Sequence, residues 1–459
     1  MTNTNTNLTS GSIFKSLVYL ALPIMGTSFI QMAYNLTDIM WVGRLGSFSV
    51  AAVGTGGFFT WFAMAVIFIS KIGAEVRIAQ SVGRNDKNAV KGYVKSSIQI
   101  NILMAFIYMS ILLIFKDPLV GFFNLGNQKV VDDTTGYLTI VSMGMIFSFM
   151  NPLFTSIWNG YGNSVIAFRA NAIGLVFNMV LDPLFIFGFK AIPAMGVNGA
   201  AIATVLSQMI VFCVFLYCAK YNRLLFSDLD LFKSIDKAKI NDIIMLGLPA
   251  ALQSGMFTLI AMFIARIVAA WGPVPVAVQR VGSQIEAISW MTAGGFSTAI
   301  GTFTGQNLGA GRADRIYKGY IAGVIIALSI GLTATILLVF FGKPVFSIFL
   351  SEEEALGIGI NDLIILGYSQ IFMCIEIITS GAFNGLGRTV PPSVVGISFN
   401  SLRIPIAVFL SATVMGLDGV WWSIRITSIF KGIILFIWFA KILYSLQKED
   451  FKQKEKLCI

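Results

Sequence analysis

The sequence predicts an all-α polytopic membrane protein with twelve transmembrane helices in two pseudo-symmetric six-helix lobes. Three observations predict it. Of the 459 residues, 56% are hydrophobic and only 12% are charged, with a mean hydropathy of +0.81, which no soluble globular domain approaches. Apolar runs of the ~20 residues that cross a bilayer recur along the whole chain. The second half also repeats the first at an offset of about 226 residues.

The apolar runs lie at 17–42, 48–71, 96–115, 137–159, 165–189 and 195–219, then at 243–270, 274–305, 319–341, 360–385, 391–415 and 419–446. Their length and their lack of strand alternation predict helices rather than a barrel. The polar opening MTNTNTNLTSGS leads straight into a full-length span, so no cleavable signal is expected. Residues 1–221 then form an N-lobe and 222–242 a charged cytoplasmic linker with an amphipathic stretch. A C-lobe follows at 243–446 and a cytoplasmic tail at 447–459.

The repeat is read from five ordered matches. LALPIMG (20–26) returns as LGLPAAL (246–252), and VGRNDKNAVKGY (82–93) as GAGRADRIYKGY (309–320). IWNGYGNSV (157–165) returns as AFNGLGRTV (382–390), FNMVLDP (177–183) as FNSLRIP (399–405), and MGVNG (195–199) as MGLDG (415–419). Six spans per half make the repeat parallel, related by an axis near the membrane normal.

Charge sets the topology. Twelve spans put both termini on one side, where loops carry 22 Lys and Arg. The opposite loops carry five: Arg44, Lys116, Lys129, Lys190 and Lys343. The positive-inside rule makes the richer side cytoplasmic, in a bacterial or archaeal-type plasma membrane. The net charge of +10 is thus a topology signal, aided by anionic lipid, and calls for no nucleic-acid partner. Histidine is absent, which removes His-based triads, His metal sites and the usual proton shuttle. Cys213, Cys218 and Cys374 fall in spans and Cys458 in the tail, so no disulfide framework is expected.

Parallel six-helix halves imply alternating access around a central cleft. No selectivity-filter stretch argues for a channel. No aspartate-rich diphosphate motif, nucleophile elbow or metal-ligand cluster argues for a membrane-embedded enzyme. A transporter is the expectation.

Ionisable residues in a span mark function by default. In the first span Gln31, Asn35 and Asp38 are spaced i, i+4, i+7 on one helical face. The fifth span carries Asn178 and Asp182 one turn apart, before Pro183. Counting residues inward from the outer loop puts Thr204 of the sixth span at a similar depth. Asp38, Asn178, Asp182 and Thr204 therefore share one outer-half layer, a set of hard oxygens suited to a small cation or to a proton held on a carboxyl. A hydrogen-bond network that only packs helices is the plainer alternative. The second half does not copy the acids: Asp38 maps to Ile264, and VLDP becomes LRIP with Arg403. Its own buried charges include Arg266, Arg280, Glu286, Glu376, Arg403 and Arg425, with Glu286 and Glu376 expected to pair with arginines.

The segments LALPIMGTSFIQMAYNLTDIMWVGRLG, FNMVLDPLFIFG, GVNGAAIATV and FTGQNLGAGRADR together resemble the multidrug and toxic compound extrusion (MATE) family across nearly the full length. The resemblance implies a V-shaped pair of six-helix lobes that exports amphipathic, often cationic compounds, driven by inward Na⁺ or H⁺. It assigns an N-lobe cation site to Asp38, Asn178, Asp182, Thr204 and the carbonyl of Ala200, and a drug-facing glutamine to Gln31. Asn35, Glu286 and Glu376 are further cavity candidates. Two positions depart from some branches: Phe257 stands where they have a span-7 carboxylate, and Met373 where they have a span-10 aspartate, with Glu376 one turn away.

The expected mechanism is antiport by a chain that functions as a monomer, with no cofactor beyond the coupling ion. Na⁺ or H⁺ neutralises the Asp38/Asp182 cluster and weakens its hold on a cationic cargo. Pro23, lacking a backbone donor, is the hinge candidate in span 1. A flippase for a lipid-linked precursor is the alternative, although such a cleft should be rich in arginine.

Overall fold

Helix follows wherever the apolar runs lie, because in lipid a backbone must satisfy its own hydrogen bonds. The structure, a computed structural model, describes residues 8–190, 192–226, 231, 235–350 and 352–457, without the side chains of 223–224 and 449–457. Cys458 lies outside these residues.

In chain order the helices of the first half are α1 (Ile13–Gly43), α2 (Ser47–Gly83), α3 (Lys87–Ile114), α4 (Lys116–Gly121), α5 (Gln128–Met143), α6 (Met145–Tyr161), α7 (Ser164–Phe187), α8 (Gly196–Tyr221) and α9 (Arg223–Phe226). The second half has α10 (Lys237–Ala269), α11 (Pro273–Gly309), α12 (Ala313–Phe340), α13 (Gly342–Ser347), α14 (Glu353–Gly367), α15 (Gln370–Gly385), α16 (Val390–Ser411) and α17 (Gly416–Leu457). The one isolated bridge among the described residues joins Phe189 to Ile192.

Every predicted span meets its helix. Among the described residues nine helices are long and apolar enough to cross a membrane, and the pairs α5/α6 and α14/α15 reach that length together, each bent, by 52° and 50°. The remaining span is α11, long enough at 37 residues but diluted by Arg280, Glu286 and many small polar residues. The two bends were not foreseen. They fall at Gly144 and around Tyr368 and Ser369, equivalent places in the repeat, and the short helices α4 and α13 are likewise equivalent. Large apolar side chains such as Trp61, Ile114 and Phe409 are exposed, as a lipid-facing surface requires.

The chain packs into two compact units. One holds the described residues from Leu22 to Ala251; the other holds those up to Ala21 together with those from Leu252 onward. The sequence-based boundaries at 221 and 243 mark the repeat, whereas packing assigns the opening turns of α1 to the second unit and those of α10 to the first. Both switches occur within three residues of a proline inside an unbroken helix, Pro23 and Pro249.

Each opening is held by specific groups. In the first unit Asp242 of α10 accepts from the Tyr93 hydroxyl (2.9 Å) and pairs with Arg77 (3.2 Å). The backbones of α2 and α10 also touch: a Cβ on Gly73 would strike the Ile243 carbonyl, and one on Gly247 would strike that of Ile69. Gly247→Val is therefore expected to lower the melting temperature, since overpacking costs about 1–3 kcal/mol and backbone cannot yield as a side chain can. An unchanged melt would show that α10 is not seated there. In the second unit Arg315, from the GRADR motif, donates to the carbonyls of Leu8 (3.1 Å), Ser10 (3.1 Å) and Gly11 (3.0 Å) and to Asn307 Oδ1 (3.1 Å).

Candidate functional site

On helix α7, Asn178 and Asp182 stand one turn apart on one face, both fully buried, while Arg169 is exposed on the opposite face. Asn178 Nδ2 donates to Asp182 Oδ1 at 3.1 Å. Pro183 follows without breaking the helix. From α1 the carboxyl of Asp38 comes within direct reach of both Asp182 and Asn178. The pair predicted from two distant segments is therefore brought together in one unit.

Three oxygens of this cluster, Asp38 Oδ1, Asn178 Oδ1 and Asp182 Oδ2, are buried without a hydrogen-bond partner. Leaving even one such acceptor unpaired costs about 1–3 kcal/mol, and two facing carboxylates repel as well. Oxygens of this kind, held close together, have the chemistry to take a proton or a small cation.

Tyr34 completes the cluster and sequence reading missed it. It lies one turn before Asp38, is buried, and its hydroxyl donates to the Thr204 carbonyl at 3.4 Å, beside the Thr204 and Ser207 side chains. Ser207 Oγ is another buried oxygen without a partner. The signal was available: Tyr34 is i−4 from Asp38, and Ser207 is i+3 from Thr204. Ala200, one turn before Thr204, packs with Val42 and Ile186 in an apolar cap.

Of the face read as Gln31, Asn35 and Asp38, only Asp38 joins the cluster, half-buried, and Gln31 is exposed like Asn35. Asn35 is exposed and Tyr34 takes the inward position, because a helix turns 100° per residue and a seven-residue stripe drifts. Gln31 instead lines a small cleft with Tyr34, Asn171, Gly174, Gln208 and Val211, one turn deeper along α1, α7 and α8. Asn151 reaches Gln208 from α6, donating to its Oε1 at 2.7 Å. Pro23 lies inside the continuous α1, where the Thr27 hydroxyl donates to the Pro23 carbonyl at 3.0 Å.

The second unit uses its charges differently. Glu286 pairs with Arg425 at 3.0 Å and accepts from Gln370 Nε2 at 3.2 Å. Glu376 makes its ion pair with Lys431, at 2.9 Å, a buried lysine the sequence reading passed over, and acts on Arg403 only through its field. Asp362, also overlooked, is 2% exposed with one oxygen unpartnered, near Arg425 and Glu286. Arg266 and Arg280 are exposed. Among the described residues no three of His, Cys, Asp and Glu cluster as metal ligands, and Cys213, Cys218 and Cys374 are free thiols.

The MatE family profile matches residues 23–184 and 249–409, one match per repeat and most of the chain. The chain belongs to the MATE family. It is similar to the probable multidrug resistance protein NorM of Thermotoga maritima, 28% identical over 433 residues that cover 93% of this chain and 92% of that one. It is also similar to the probable multidrug resistance protein YoeA of Bacillus subtilis, 27% identical over 89% of this chain and 90% of that one. Among solved structures, a multidrug resistance MATE transporter in an outward-facing conformation superposes with a TM-score of 0.89 at 26% identity, covering 97% and 99% of the two chains. A transporter from Pyrococcus furiosus, whose binding pocket is described as of reverse polarity, superposes at 0.88 with the same identity and covers 97% and 99%. As a MATE protein the chain is a multi-pass membrane transporter, and its repeat is the family's own duplication.

Proposed function

We propose that this MATE protein is a multidrug exporter that works as a cation-coupled antiporter: Na⁺ or H⁺ enters as an amphipathic or cationic compound leaves. The observation that carries the reading is the trio of buried, unpartnered oxygens on Asp38, Asn178 and Asp182. Ion and cargo need only differ in their preference for two conformations to be coupled. A cluster that must be neutralised to be stable supplies that preference for the ion. Neutralisation also removes the negative field that attracts a cationic cargo to this unit. Pro23, where the helix lacks a backbone hydrogen bond, is the place where α1 bends in response. Both termini are assigned to the cytoplasm from the distribution of Lys and Arg, and the chain is taken to act as a monomer.

Efflux of a fluorescent cationic dye from proteoliposomes, under an imposed Na⁺ gradient and separately under a pH gradient with the voltage clamped, tests the proposal. One of the two gradients is expected to drive dye accumulation against its own gradient. No response to either, from protein shown to be folded, would overturn it and favour export of a lipid-linked cargo.

A further inference from the structure

The repeat gives every member of the ion cluster a counterpart. In the registers of the matched segments Asp38 corresponds to Ile264, Asp182 to Ile404, Thr204 to Ile424 and Ala200 to Val420. In the fold these four belong to one apolar cluster, with Ile264 and Val420 buried and Ile404 and Ile424 packed against them. Where the first unit collects oxygen, the second has an aliphatic plug.

One turn deeper the counterparts become polar again. Asn178 corresponds to Asn400, Ser207 to Thr427 and Gln208 to Ser428, while Gln31 corresponds to Phe257. Here Arg403 donates from Nε to Thr427 Oγ1 and from Nη2 to Ser428 Oγ, each at 3.1 Å. Its guanidinium lies over the Phe257 ring, 5.9 Å from the centroid. The side chain is 8% exposed, in the field of Glu376 and Glu286, which are themselves paired with Lys431 and with Arg425, the latter opposing Arg403. In the first unit the matching Ser207 oxygen has no partner and Gln31 borders the cleft. A cation of the chain itself thus sits in the second unit where the first offers an open place. Burying a guanidinium is costly, and stacking, hydroxyl donors and counter-charge together offset it.

We infer that Arg403 is a resident cation filling the second half's copy of the ion and cargo cleft. Each chain then takes its coupling ion in the first half alone. The part about the ion rests on the reading of Asp38 and Asp182 given above; the part about Arg403 does not.

Thermal unfolding of the purified full chain against methylguanidinium chloride, with choline chloride holding ionic strength constant, tests the residency. Arg403→Ala is expected to melt several degrees below the parent and to recover saturably with millimolar methylguanidinium, because a ligand of the folded state alone stabilises it by mass action. The parent and Arg403→Lys should gain nothing. A folded Arg403→Ala that ignores methylguanidinium, or a parent that gains as much, overturns the inference. If Arg403→Ala does not survive extraction, the yield of monodisperse protein extracted with and without methylguanidinium reads the same question. Recovery supports residency and equal loss overturns it. In a second arm Asp182→Asn is melted against Na⁺ and against pH. A saturable cation response persisting there reveals another ion site and overturns the one-ion clause. A parent response that Asp182→Asn leaves wholly unchanged also sinks the first-half reading, while the methylguanidinium result stands by itself.

Discussion

Asp182→Asn is expected to reduce gradient-driven efflux to background and to leave the protein folded. The replacement is nearly isosteric, and its amide oxygen still accepts the hydrogen bond that Asn178 Nδ2 gives to Asp182 Oδ1. What disappears is the ability to change charge. Asp182 is fully buried and faces Asp38, so in the parent one negative charge must be neutralised from outside whenever both carboxyls are ionised. In the variant the site has one carboxyl where the parent has two, its demand for a neutralising ion falls, and the link between ion occupancy and conformation is weakened to the point where efflux is lost. Stability is expected to hold or rise slightly, because an unpaired buried charge has been removed. The check is dye efflux in proteoliposomes beside a thermal melt of the same preparation. Efflux within a few-fold of the parent, from folded protein, would remove Asp182 from the coupling path. Asp38→Asn should behave alike, whereas Asn35→Ala, at an exposed position outside the cluster, should transport nearly normally.

The largest effect on stability is expected at Arg425. Its guanidinium pairs with Glu286 at 3.0 Å, and Asp362 lies within its field. Arg425→Met keeps the bulk and leaves both carboxyls without their cation, retaining for Glu286 only the Gln370 hydrogen bond. Breaking one partner of a buried pair costs about 3–5 kcal/mol, whereas replacing both by apolar residues is often neutral. Arg425→Met should therefore melt well below the parent, and Arg425→Met with Glu286→Leu should recover much of the loss. If the double variant is no better than the single one, Glu286 is not what Arg425 neutralises. Transport driven by the first-half site should survive in the double variant, since neither residue belongs to the ion cluster.

Much of this was legible in the chain. A bilayer imposes a one-dimensional rule, an apolar run of fixed length, so the span positions could be read directly and each now coincides with a helix or a bent pair. Asp38 and Asp182 stood out because a charge in such a run is expensive and kept only for a reason. Other members were hidden by their own chemistry. Tyr34 reads as an aromatic among apolar residues, and its hydroxyl acquires meaning only beside Thr204. Lys431 and Asp362 are single charges whose partners lie far away in sequence. The bends at Gly144 and near Ser369 escape hydropathy altogether, because both arms of a broken helix are equally apolar.

The sequence by itself determined the membrane class, the twelve spans and the duplication, and that Asp38 and Asp182 have no acidic counterparts in the second half. These are properties of composition and order, set by what each residue costs in lipid. The tertiary structure decided which side chains meet. It chose Tyr34 over Asn35 as the inward residue of α1, gave Glu376 to Lys431 rather than to an arginine, and assigned the opening turns of α1 and α10 to their packing units. It also laid Arg403 over Phe257 beside an aliphatic plug. Those choices depend on helix rotation and close backbone approach, as at Gly73 and Gly247, which hydropathy along a line does not encode.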